Sequence, residues 1–150
     1  MLSALWVLPA TAGALAGWFY LSREKRQDKH RFRPDPASGT RCRNGPAAEA
    51  AAFLKDHPET VILDVRSPRE YASGALRGAQ LIPSGSGDFS VRISALDPAV
   101  PVLVYCAGGH RSRKAVDALK ALDFKTIQHI HRGYYSWLMA GLPFEIPERS

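Results

Sequence analysis

The stretch Val102-Leu103-Val104-Tyr105-Cys106-Ala107-Gly108-Gly109-His110-Arg111 decides the fold and contains the candidate nucleophile of this sequence. Its first four residues are an unbroken apolar run, which predicts a buried strand. After Arg111 the apolar residues recur at helical spacing. These are Ala115, Ala118, Leu119 and Leu122. The sequence therefore predicts a strand, a tight glycine-bearing turn and a helix in direct succession.

Cys106 lies at the point where this strand meets the turn. We expect the turn to direct its backbone N–H groups inward, and the start of the helix adds partial positive charge. Such surroundings lower the pKa of a thiol and favour the reactive thiolate. The glycines permit a tight backbone, and the guanidinium of Arg111 suits an anion. The predicted anion-binding loop consists of Ala107, Gly108, Gly109, His110 and Arg111.

Other roles for Cys106 are possible from these residues. A cysteine at a strand end is often a buried structural residue. Four residues separate Cys106 from Arg111, a shorter loop than in cysteine phosphatases, so a phosphatase or an arsenate reductase is disfavoured. A thiol redox sensor would need a resolving cysteine, and only Cys42 is available. The short loop fits a compact sulfur group best.

Four motifs follow one another along roughly residues 45 to 145. They are Ile62-Leu63-Asp64-Val65-Arg66 with Glu70-Tyr71 and Gly74, then Gly78-Ala79 with Ile82-Pro83, then Tyr105-Cys106 through Arg111-Ser112 with Ala115, and finally Gly133, Trp137 and Gly141-Leu142-Pro143. In this order the motifs resemble those of the rhodanese family of single-domain sulfurtransferases.

The resemblance implies a rhodanese-like, doubly wound α/β domain over residues 45–146, with a five-stranded, mostly parallel sheet. It also implies that Cys106 takes a sulfane sulfur from thiosulfate or a persulfide and passes it to cyanide, a thiol or a protein acceptor. The anion-binding loop and Arg66 would bind the substrate, and Asp64 and Ser112 would support the site. No metal or organic cofactor is expected.

A catalytically silent, membrane-tethered binding module is the alternative function. Two departures from the family pattern keep it open, because Ala75 stands where the family often has His and Tyr134 stands where a second glycine is expected. The same fold would then serve to bind a partner protein.

Residue patterns place the other elements of the predicted domain. Helices are predicted over residues 46–57 and 67–73, and a buried strand over residues 61–65. Residues 84–90, SGSGDFS, are expected to border the site. Residues 127–131 are predicted as the last strand, in which His129 and His131 share a face. Two histidines without a third ligand do not predict a metal site.

Residues 2–21, LSALWVLPATAGALAGWFYL, contain no charged side chain. Twenty such residues suffice for one transmembrane helix. Aromatic residues near both ends, among them Trp6 and Trp18, are placed as interfacial anchors. A cleaved signal peptide and a soluble core or partner helix are the alternatives, although a signal peptide normally begins with basic residues.

The formal net charge of +6 is concentrated in one segment. Residues 23–33 carry six Lys or Arg side chains and two acidic ones, while the rest of the chain nets only +2. We therefore expect residues 22–44 to be a basic juxtamembrane segment and linker that contacts lipid headgroups, and no nucleic-acid partner. By the positive-inside rule the C-terminal domain is predicted to be cytoplasmic, where Cys106 stays reduced.

Overall fold

A computed structural model describes residues 33–34 and 39–148 of the chain. Within these ranges, strands and helices alternate along most of the sequence, as in other α/β domains. The strands are β1 (Arg33–Pro34), β2 (Arg41–Gly45), β3 (Val61–Asp64), β4 (Ala75–Leu76), β5 (Gln80–Leu81), β6 (Val102–Tyr105), β7 (Thr126–Ile130) and β8 (Phe144–Glu145). The helices are α1 (Ala47–Asp56), α2 (Pro68–Ala72), α3 (Phe89–Ser94), α4 (His110–Ala121) and α5 (Gly133–Met139).

The main sheet has the strand order β1-β2-β7-β6-β3-β5. The last five strands are parallel to their neighbours, as predicted, but β1 pairs antiparallel with β2. Among the described residues the sheet therefore has six strands, and the expected number of five is wrong. β1 includes Pro34, which lacks an N–H group and is tolerated at the edge of a sheet. A separate antiparallel pair joins β4 to β8.

The sheet also begins earlier than the predicted domain boundary at residue 45. β2 pairs with β7 over its full length, from Arg41 opposite Thr126 to Gly45 opposite Ile130. The segment predicted as a linker thus supplies a strand, because β7 needs a hydrogen-bonding partner on its outer side.

Helices cover both faces of the sheet, as the doubly wound prediction requires. Side chains alternate along β6, so that Val102 and Val104 pack on one face and Leu103 and Tyr105 on the other. The first face is covered by α3 and α4, and the second by α1 and α5. Because β6 is buried on both faces, the loop after it begins in the middle of the domain.

The predicted transmembrane segment, residues 2–21, and most of the basic segment lie outside the described residues. Within the ranges that the structure describes, no helix is both long and apolar enough to cross a membrane.

The start of α5 rests directly on the loop that follows β6. The N–H of Tyr134 donates to the carbonyl oxygen of Cys106 at 2.7 Å, and the N–H of Tyr135 donates to that of Ala107 at 3.1 Å. Gly133 makes this approach possible, since its φ is +57° and a Cβ there would overlap the Cys106 carbonyl oxygen. The start of α5 thus fixes the backbone of the candidate site.

Substituting Gly133 by alanine should destabilise the protein through this contact. Gly141 provides a matched control, because its φ is +65° but a Cβ there would meet nothing within 4 Å. We expect Gly141→Ala to cost about 1 kcal/mol from backbone strain, and Gly133→Ala to cost about 3 kcal/mol or more. Urea unfolding of both variants measures the difference. Equal losses would show that the loop does not depend on this close approach.

Candidate active site

The Cys106 side chain lies at the carboxyl end of β6 and is only 1% exposed. Its Sγ accepts the N–H of Gly109 at 3.1 Å and contacts the Ser112 hydroxyl at 3.3 Å. Ligand sites of parallel sheets gather at this edge, where the strands end and the following helices begin. The predicted position of the nucleophile and its contact with a loop N–H group agree with this geometry.

Hydrogen bonds to the sulfur favour its ionised form. Burial raises the pKa of the Cys106 thiol, but the Ser112 hydroxyl and the backbone N–H groups of Ser112, Gly109 and Arg111 outweigh it. Together they hold the pKa below the ordinary thiol value. A thiolate is both the better nucleophile and the form that these donors stabilise.

The predicted anion-binding loop is divided between the sulfur and the surface. Gly109 has a φ of +92° and packs against the backbone that follows β7, where a Cβ would overlap the His131 carbonyl oxygen. Ala107 is buried and its carbonyl binds α5, as described above. Gly108 and His110 are exposed at the rim. Only part of the loop therefore turns its N–H groups toward Sγ.

Arg111 is held by Glu70, a residue of the first motif to which the sequence analysis assigned no role. The two side chains form a two-point ion pair with distances of 2.8 and 2.6 Å. The Glu70 carboxylate also accepts the N–H and hydroxyl of Ser67, while Ser67 Oγ accepts the Glu70 N–H, so the pair is fixed to the first turn of α2. The Arg111 side chain thus links the loop after β3 to the loop after β6.

The guanidinium of Arg66 is bound by other residues of the domain, although Arg66 also lines the cavity beside the site. Its predicted substrate-binding role stays a prediction. Arg66 is 3% exposed, and its guanidinium donates to Asp64 at 2.6 to 3.0 Å and to the Gly74 carbonyl at 2.6 Å. It also lies over the Tyr134 ring, 4.1 Å from the centroid. A charge buried at the end of β3 needs such partners, so these contacts occupy the guanidinium. Asp64 also accepts the backbone N–H of Arg66 at 2.9 Å.

Tyr134 covers the buried guanidinium of Arg66. The residue singled out as a departure from the family pattern stacks on the Arg66 guanidinium and contacts the Tyr105 ring. The other departure, Ala75, is fully buried in the same cluster of side chains. Neither residue contacts Cys106 Sγ in the hydrogen bonds of the described residues.

Ser112 connects the sulfur to two residues that the sequence analysis missed. Its Oγ lies 2.7 Å from His129 Nε2, and His129 Nδ1 lies 2.8 Å from Asn44 Oδ1. His129 is 2% exposed. The position of this histidine inside a predicted strand was the available signal, since a buried side chain of this kind needs hydrogen-bond partners. Asn44 could not be found this way, because only the pairing of β2 with β7 brings it near.

A cavity of about 770 Å³ opens beside the site. Its wall is formed by the loop after β3, by residues 83–86 with Phe89, and by the first turns of α4. His110 and Arg111 of the cysteine loop line it, as does Lys114. The Gly- and Ser-rich segment thus borders the cavity as predicted. A small anion bound there would lie against the loop that holds the sulfur.

The second cysteine is too far away to resolve Cys106 as a disulfide. Cys42 on β2 is opposite Ile127 on β7, which is in turn opposite Val102 on β6. Two strand spacings amount to about 10 Å, and Cys106 lies four residues further along, about 13 Å. A disulfide requires Cα atoms within about 7 Å of one another.

Groups of three or more residues able to hold a metal are absent from the described ranges.

The pairing with Arg111 should make stability depend on the ionisation of Glu70. The Arg111 guanidinium lowers the pKa of Glu70 from 4.5 to about 2. The contribution of the pair is therefore present above about pH 4.5 and is lost as the pH falls toward 2. The urea concentration at the midpoint of unfolding should fall more steeply in the native chain than in Glu70→Gln as the pH is lowered from 6 to 2. The exposed Glu148→Gln is the control and should behave as the native chain does.

Removing the Arg66 side chain should leave the Asp64 carboxylate buried without its counter-ion. We expect Arg66→Met to lower the free energy of unfolding by about 3 to 5 kcal/mol. Arg77→Met is the control, because Arg77 is exposed and its ion pair with Glu145 is long, at 3.9 Å. Chemical denaturation at neutral pH measures both. A loss for Arg66→Met no larger than for Arg77→Met would show that the buried pair does not stabilise this fold.

Known proteins that resemble this chain in sequence also resemble it in structure. Residues 46–140 match the model of the rhodanese-like domain family. The chain is 28% identical to a sulfurtransferase of Allochromatium vinosum over 95 residues, which are 63% of this chain and 87% of that protein. It is 35% identical over 96 residues to a tRNA uridine(34) hydroxylase of Cytophaga hutchinsonii, but it spans only 31% of that protein.

A solved structure extends the likeness to three dimensions. The crystal structure of a rhodanese-related protein from Thermoplasma volcanium superposes with a TM-score of 0.61 at 28% identity. The alignment covers 70% of this chain and 99% of that protein. The matched family model, the parallel sheet and the cysteine loop after β6 lead to one conclusion. This chain belongs to the rhodanese-like domain family.

Proposed function

We propose that the protein is a sulfurtransferase in which Cys106 carries a sulfane sulfur as a persulfide. The contacts of Cys106 Sγ are the observation that carries the proposal, because they favour an anionic sulfur at the edge of the sheet where ligands bind. Relatives that include a sulfurtransferase support the same class of reaction.

The proposed reaction has two displacement steps. The Cys106 thiolate attacks the outer sulfur of thiosulfate, a new S–S bond forms, and sulfite leaves with the electron pair of the broken bond. With a persulfide donor, a thiolate leaves instead. An acceptor such as cyanide or a thiol, free or on a protein, then attacks the outer sulfur and releases the Cys106 thiolate. The covalent intermediate carries the sulfur, so the proposal needs no cofactor.

The loop and the cavity wall have separate parts in this scheme. The backbone N–H of Gly109 and the Ser112 hydroxyl stabilise the sulfur anion before and after transfer. Arg111 holds the loop through Glu70, while Lys114 brings a further positive charge to the cavity and His110 lines it. An anionic donor would be attracted to this wall. Lys114 was not predicted, because the exposed face of α4 gives no such signal.

We also propose that residues 2–21 anchor the protein in a membrane, with the rhodanese-like domain in the cytoplasm. The support is the uncharged twenty-residue stretch followed at once by six Lys or Arg side chains. A cytoplasmic position would keep Cys106 reduced between turnovers.

Persulfide formation tests the sulfurtransferase proposal directly. The reduced full-length chain is incubated with thiosulfate, and its intact mass is measured before and after cyanide is added. We expect one added sulfur atom that cyanide removes. The adduct should persist in Cys42→Ser, the matched control, and be absent from Cys106→Ser.

No adduct from a folded chain with thiosulfate, an inorganic polysulfide or an organic persulfide would overturn the proposal. The catalytically silent binding module would then be the better account. An adduct on Cys42 alone would contradict the assignment of the nucleophile.

A further inference from the structure

A chain of polar side chains runs from the sulfur across two strands of the sheet. Cys106 Sγ contacts Ser112 Oγ at 3.3 Å, Ser112 Oγ contacts His129 Nε2 at 2.7 Å, and His129 Nδ1 contacts Asn44 Oδ1 at 2.8 Å. The first three residues are buried, and Asn44 is exposed at the far end. Neither His129 nor Asn44 has a part in the proposed transfer reaction.

The hydroxyl of Ser112 has only one proton to share between its two neighbours. If His129 Nε2 carries no proton, it accepts the hydroxyl proton, and Ser112 turns a lone pair toward the sulfur. If Nε2 is protonated, it donates to Ser112 Oγ, and the hydroxyl proton is free for Cys106. Only the second arrangement stabilises an anionic sulfur. The tautomer of His129 therefore decides what Ser112 contributes.

The tautomer is set at the other ring nitrogen, which faces Asn44. The parallel register of β2 and β7 places Asn44 directly opposite His129. Half a turn of the side-chain amide exchanges its oxygen for its NH₂ group at the same position. Among the described residues the Asn44 side chain makes no other hydrogen bond, so it is free to make this turn. Asn44 can thus accept from Nδ1 or donate to it.

Within this series of hydrogen-bonded side chains, His129 is a neutral residue. Burial, followed by the nearby charges of His131 and Arg113, lowers its pKa to about 4. The imidazolium is therefore scarce near neutral pH, and His129 does not serve as the base that keeps the Cys106 proton. A neutral ring that donates through Nε2 still needs a donor at Nδ1, which the Asn44 amide supplies.

We propose that Asn44 and His129 are positioning residues that direct the Ser112 proton onto the anionic sulfur of Cys106. When Cys106 ionises, Asn44 donates to His129 Nδ1, His129 Nε2 donates to Ser112 Oγ, and Ser112 donates to Sγ. When Cys106 is protonated, the three bonds reverse. The inference rests on the proposed role of Cys106 and adds two residues outside the family loop that tune its reactivity.

The pH dependence of Cys106 alkylation by iodoacetamide tests the proposal. Measurements on the full-length chain in a Cys42→Ser background report only Cys106. Ser112→Ala should raise the apparent pKa by about one unit, a tenfold loss of thiolate below that pKa. Asn44→Ala, at an exposed position that leaves the fold intact, should reduce the thiolate fraction about threefold.

A double-mutant cycle tests whether Asn44 acts on the Cys106 thiolate only through Ser112 or independently of it. In the Ser112→Ala background, Asn44→Ala should change nothing further, because the link to the sulfur is already broken. An unchanged pKa in Asn44→Ala, or an equal effect of that substitution in both backgrounds, would overturn the proposal. Gln80→Ala, which removes an exposed side-chain amide from β5, is the control and should match the native chain.

Substitutions of His129 add a second readout. His129→Gln retains an N–H group that can donate to Ser112 and should stay within about threefold of the native thiolate fraction. His129→Leu should match Ser112→Ala; if it does not fold, the Asn44 and Ser112 cycle decides. Alkylation reports the thiol pKa whether or not sulfur is transferred, so this proposal and the proposed function can fail separately.

Discussion

A sulfur anion at the buried end of a central strand is stable only if hydrogen-bond donors surround it. Burial disfavours the Cys106 thiolate, and the loop backbone and Ser112 reverse that preference. The donors are available because β6 ends where α4 begins, so N–H groups without helical partners meet at the sulfur. The rest of the domain can be understood as the scaffold that holds this short loop in place.

Three contacts from other elements fix the scaffold. Arg66 fills the space behind the loop with a charge that Asp64 neutralises, and Tyr134 covers its guanidinium. The Glu70–Arg111 pair joins the loops after β3 and β6. The backbone of α5 holds the carbonyl groups of the cysteine loop from the other side. The last two contacts join segments that belong to different motifs, which explains how motifs distant in sequence act on one sulfur.

The contiguous features of this protein could be predicted from its sequence. The apolar run before Cys106, the glycines and the helical spacing after Arg111 each encode local structure, and motif order implied the parallel sheet. The partners of charged and polar groups could not be predicted, because they depend on strand register. For example, no pattern in the sequence indicated that the Arg66 guanidinium pairs with Asp64 and Gly74. A strand as short as β1 carries no periodicity and was missed.

The ionisation of Cys106 is the property on which this account depends most. Ultraviolet absorbance of the thiolate, measured against pH as the difference between the native chain and Cys106→Ser, reports it without any substrate. The account predicts that thiolate absorbance persists below the pH at which an ordinary cysteine ionises. Absorbance that develops only at or above that pH would show that the loop does not stabilise the anion, and would contradict the account.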